Sequence, residues 1–130
     1  MTDKELKGDS KNMNKQLLLP QSIEAFIQAT NRHDPDEFLA TLTDKAVITD
    51  EGRDHRGTTA NKEWSDEVFI GAKVTLEPLK VINRDGKTVV TAKVDGNFDK
   101  TGLPDPFLMD FHFTVDETKI AALNIRLPGE

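Results

Sequence analysis

The residues best equipped for chemistry cluster in two places. The segment AVITDEGRDHRG, residues 46–57, begins as an apolar strand and then brings Asp50, Glu51, Arg53, Asp54, His55 and Arg56 together within seven positions. A carboxylate that closes an apolar strand can serve as a general base at a pocket floor, whereas mixed charges beyond it are the usual composition of a solvated rim. Arg53 or Arg56 could hold a substrate carboxylate at such a rim. The second cluster is the segment PFLMDFHFTV. There Leu108, Asp110, His112 and Thr114 alternate with Phe107, Met109, Phe111, Phe113 and Val115, so an acid and an imidazole share one face of a strand. Two readings follow: Asp110 and His112 face water, or they form a pocket wall and the Phe-rich face points outward. In the second reading a contiguous apolar face needs a cover, and a homodimer through Phe107, Phe111 and Phe113 is expected.

Other chemistry is disfavoured by composition. The three His residues are far apart and Cys is absent, so no zinc or other metal site is expected and thiolate catalysis is excluded. No phosphate-binding glycine loop, nucleophile elbow or dinucleotide fingerprint occurs, so no cofactor is expected. A net charge of −6 works against binding a nucleic-acid backbone. The composition is that of a soluble protein with no membrane span, and the lack of Cys fits a reducing cytoplasm. Residues 1–19 read as a flexible tail and residues 20–130 as one domain.

The elements that must position these groups are helices first, then strands. Ile23, Phe26, Ile27 and Thr30 recur at i, i+3, i+4, i+7, which predicts a helix to about His33. Asp34, Pro35 and Glu37 then form a helix-start signature, and Phe38, Leu39 and Leu42 supply that helix's apolar side. A strand over Ala46–Asp50, a charged loop, and a helix after Gly57 with Ala60, Trp64 and Val68 on one face follow. Val74 to Phe98 reads as a long hairpin turned at Asp85-Gly86, with a bulge at Pro78. The segments FLMDFHFTV and IAALNIRL complete an antiparallel meander. The expected class is α+β: a cone-shaped curved antiparallel sheet with three N-terminal helices on its concave face, whose mouth suits a small-molecule pocket. Trp64 and Phe98 are expected as core or pocket wall.

From IEAFIQATNRHDPDEFLATLTDKAVITDEGRDHRG to MDFHFTVDETKIAALNIRL the chain resembles the SnoaL-like and ketosteroid isomerase-like superfamily, whose cystatin-like α+β barrel is also that of nuclear transport factor 2. The resemblance rests on Ala29, Asn31 and Asp34 at a helix end, the step into Ala46-Val47, the Gly57 helix start and the closing strand pair. It implies Asp50 as a general base moving a proton beside a carbonyl, and Asp110 as a protonated acid facing the enolate oxygen. It also implies a small apolar or polycyclic ligand contacted by Phe26, Trp64, Leu108, Phe98 and Arg53. The family's oxyanion tyrosine falls on Phe26 and its supporting tyrosine on Ser65, and the chain contains no Tyr. His112 could replace the missing donor or hold Asp110 charged. The functions implied are therefore a cofactor-free isomerase or cyclase, a non-catalytic binding or dimerisation module, or an epoxide hydrolase-like or dehydratase-like enzyme. The last would require Arg53 or His112 to contact one of the aspartates.

Overall fold

A computed structural model describes residues 18–129. The tail expected over 1–19 lies outside these residues except for its last two positions. Helix α1 spans Gln21–Asn31 and buries the predicted row Ile23, Phe26, Ile27 and Thr30. Helix α2, Pro35–Ala40, starts where expected: the Glu37 backbone N–H donates to Asp34 Oδ1 at 3.1 Å. It ends before Leu42, which the sequence placed on its apolar side, because Leu42 already begins strand β1, Leu42–Asp50. Strand β2, Arg53–Arg56, and helix α3, Gly57–Val68, follow. The remaining strands are β3 Thr75–Arg84, β4 Lys87–Asp95, β5 Leu108–Asp116 and β6 Lys119–Arg126.

The six strands form one curved, unclosed sheet in the order β2-β1-β6-β5-β4-β3, and the three helices pack on its concave face. All neighbouring strands are antiparallel except β1 and β6, which run parallel. That one parallel pair departs from the expected meander: it sets the first strand directly beside the last, with β2 to β5 lying between them only in sequence. The predicted bulge appears as a register shift between Pro78 and Lys80. The Asp85-Gly86 turn has φ of 52° and 77°, the positive values that a two-residue hairpin turn demands.

The charged segment after Asp50 is not a loop. Glu51 and Gly52, at φ of 53° and 76°, turn the chain so that Arg53–Arg56 pairs back on β1. Four charged or polar residues on the sheet's outer strand discourage pairing with another chain.

The orientation of β5 overturns a larger expectation. Phe111 and Phe113 are 2% and 1% exposed, and the Phe113 ring meets the edge of Phe26 at 5.3 Å. The Phe-rich face is therefore the concave, helix-covered one, and it offers no dimer surface. Phe107 is half-buried and stacks edge-on with Phe98 at 6.1 Å. The physical reason is area: the helices present Ile23, Phe26, Ile27 and Phe38, and only the Phe face can bury against them at comparable gain. Asp110 and His112, one residue out of phase, are carried to the outer face.

Candidate functional site

On β1, Ala46, Ile48 and Asp50 alternate on the inner face; the first two are fully buried. Asp50 therefore extends a core row to the point where helices and sheet separate. There it borders a cavity of about 400 Å3, within the size range of small-molecule sites. Its floor and walls are apolar: Trp64, Phe69, Val94, Met109, Phe111 and Ile125. An adjoining hollow of about 640 Å3 shares Asp50, Glu51, Leu103, Phe107, Met109 and Ile125 with it.

Trp64 fixes the carboxylate. Its indole Nε1–H donates to Asp50 Oδ2 at 3.1 Å, and the ring is held from behind by Phe69 at 4.8 Å between centroids. The second oxygen, Oδ1, has no hydrogen-bond partner among the described residues. Helix α3 is itself anchored to β1 by Asn61, whose Nδ2–H donates to the Ala46 carbonyl at 3.0 Å. The buried face of α3 centres on Asn61, Trp64 and Ser65, rotated from the expected Ala60, Trp64, Val68 row; Val68 instead reaches the cavity wall.

Glycines set the opposite wall. A side chain at Gly71 would collide with the Asp66 backbone, and one at Gly96 would lie 3.1 Å from each of Ala72 O, Val74 Cα and the Phe98 ring. These close approaches bring Val74 and Phe98 to the mouth. The Phe98–Phe107 loop completes the enclosure with Leu103.

Of the candidates from sequence, the fold thus brings Asp50, Trp64 and Phe98 together around one cavity. It does not bring the others there. Phe26 is fully buried in an aromatic cluster with Phe38, Phe69 and Phe113, so the position expected for a tyrosine is packed core. Asp110 lies on the outer face, where Thr91 Oγ1–H donates to its Oδ1 at 2.6 Å. Leu108 shares that face by the alternation of the strand. Arg53 is exposed on β2, directly across from Asp50 in register, and lies outside the cavity lining. Among the described residues no hydrogen bond or ion pair joins Arg53 or His112 to either aspartate. Residues the sequence reading missed, Met109, Phe111, Val94 and Ile125, carry a signal it contained: all lie on the apolar faces of their strands.

His112 and Arg126 border a separate hollow of about 570 Å3 on the outer face. Burial, with Arg126 nearby, lowers the His112 pKa below its ordinary value of 6.5, against an opposing pull from Asp110. A His pKa depressed in the folded state means that the unfolded chain binds more protons as pH falls below about 6.5, so folding stability falls with it. The urea midpoint is therefore expected to drop between pH 7.5 and 5.5, and to drop less in His112→Asn. Equal drops in both proteins would refute this assignment.

Comparisons with known proteins agree with this geometry. The sequence profile of the SnoaL-like domain matches residues 23–123. Among solved structures, a Sinorhizobium meliloti protein provisionally called a polyketide cyclase is 30% identical, with a TM-score of 0.74, covering 83% of this chain and 95% of that one. The Mycobacterium tuberculosis protein Rv0760c in complex with estradiol-17β-hemisuccinate has the same fold at 15% identity and a TM-score of 0.66, covering 80% and 88%. A computationally designed 17-OHP binder also shares the fold at 16% identity and a TM-score of 0.67, covering 80% and 86%. Among proteins with curated descriptions, none matches the chain.

Proposed function

The chain belongs to the SnoaL-like domain family, and on that premise we propose that residues 20–130 bind a small, largely apolar carbonyl or polycyclic compound in the Asp50 cavity. Asp50 acts there as a general base in cofactor-free proton transfer of isomerase or cyclase type. One observation carries this reading: the strand-end carboxylate of Asp50, held by an indole N–H at 3.1 Å, stands at the edge of a cavity of about 400 Å3 whose floor and walls are apolar. Such a carboxylate keeps one oxygen positioned and presents the other to a C–H beside a carbonyl. Relatives of the same fold in complex with a steroid ester, or designed to bind a steroid, support the ligand class.

A second reading is favoured by a specific feature. Neither of the family's two oxyanion-donor positions serves the cavity, since Phe26, standing in place of the tyrosine, is buried core with no donor group and Asp110 lies outside. A missing oxyanion donor is worth about 2.7–4 kcal/mol of transition-state stabilisation. Binding without turnover is consistent with that loss.

Calorimetric titration with neutral polycyclic ketones tests the site common to both readings. Val94→Phe, which fills the cavity, is expected to weaken binding by about tenfold or more, whereas Thr114→Phe on the outer face leaves it unchanged. The reverse pattern would move the site to the outer hollow.

A further inference from the structure

The chemistry of the cavity rim narrows the ligand further, on the premise that the cavity is the ligand site. Three carboxylates border it, Asp50, Glu51 and Asp99, and no Lys, Arg or His is among the described residues that line it. Rings face the same space: Trp64 and Phe69 on one side, Phe98 and Phe107 on the other, with Phe111 beneath. Aromatic faces attract cations through their quadrupole, and the attraction grows as the site excludes water. One of these rings already carries an ammonium, since Lys100 Nζ lies 5.0 Å from the Phe98 centroid. Lys100 is tied outside the cavity to the Gly96 carbonyl at 2.6 Å and to Asp95 at 3.3 Å. Asp99 is kept ionised by hydrogen bonds from the Thr101 backbone N–H and hydroxyl, which lower its pKa. Besides Lys100, the positive charges around the rim are Arg53, exposed across the turn from Asp50, and Arg126 in the adjoining hollow.

We propose that the cavity selects apolar ligands bearing an aliphatic ammonium group over neutral or anionic ligands of the same skeleton. Glu51 and Asp99 supply the charge and the aromatic wall supplies the cation–π contact. An anionic congener would place its charge among three carboxylates, which costs binding in a partly water-excluded site.

Three adamantane derivatives of one skeleton test this: 1-adamantanemethylamine, 1-adamantanemethanol and 1-adamantanecarboxylate. None absorbs where indole emits, so the chain's single Trp, Trp64, reports occupancy of the full-length protein directly. The ammonium is expected to bind about tenfold tighter than the alcohol, and the carboxylate more weakly than the alcohol. In a Glu51→Gln/Asp99→Asn variant, at two exposed positions, the ammonium-to-alcohol ratio is expected to fall below about threefold. A carboxylate that binds as tightly as the ammonium overturns the selectivity while leaving the cavity as the ligand site. So does a ratio unchanged in the double variant. Failure of all three compounds, alcohol included, overturns the ligand site itself and the selectivity with it.

Discussion

Phe113→Ala is expected to lower the unfolding free energy by about 3–5 kcal/mol. The Phe113 side chain is 1% exposed, meets the Phe26 edge at 5.3 Å and lies 6.4 Å from the Phe111 centroid. Truncation removes apolar area and leaves a void beneath α1 that a ring-packed core cannot close by small shifts. Asp110→Ala, three residues earlier on the opposite face, loses one hydrogen bond from Thr91 and is expected to cost about 1 kcal/mol. Urea unfolding with the denaturant slope held as a control separates the two. The contrast is diagnostic of sheet orientation: with the Phe face outward, Phe113→Ala would cost little. A loss smaller than that of Asp110→Ala would contradict the packing described here.

Asp50→Asn is expected to reduce any proton-transfer activity by about 100- to 10,000-fold, the usual contribution of a positioned general base. Exchange of the α-protons of a bound cyclic ketone into D2O, followed by proton NMR, measures this whatever the natural substrate is. Asparagine keeps the shape of the side chain and can still accept from Trp64 Nε1–H, so the fold and cavity are retained while the base is removed. Asp110→Asn is expected to leave the exchange rate within about threefold, because its carboxyl group lies on the far side of the sheet from the cavity. If Asp50→Asn exchanges as fast as the natural sequence, Asp50 is not the base. If ligand binds but neither protein exchanges α-protons, the binding-module reading stands. The two carboxylates differ by environment rather than by residue type, so the pair of variants, and not either alone, tests the mechanism.

Much of the molecule is legible from local sequence. The Ile23, Phe26, Ile27, Thr30 spacing marks α1, Asp34 with Pro35 and Glu37 marks the start of α2, and Asp85-Gly86 and Pro78 mark the turn and bulge of the β3–β4 hairpin. Each is decided within a few residues, by side-chain periodicity, capping or backbone conformational preference. Asp50 at the end of an apolar strand is legible for the same reason.

Three features were decided only by the tertiary structure. Arg53–Arg56 has little strand propensity and becomes a strand because β1 offers its free edge across a two-residue turn. The parallel contact of β1 with β6 joins segments about 75 residues apart, which no local pattern encodes. Above all, alternation along β5 defines two faces and leaves open which is covered. The sequence by itself determined that Phe111 and Phe113 lie on one side, with Asp110 and His112 on the other. The helices decided which side is inside, because burying rings against Phe26 and Phe38 is favourable while burying an unpaired carboxylate is costly.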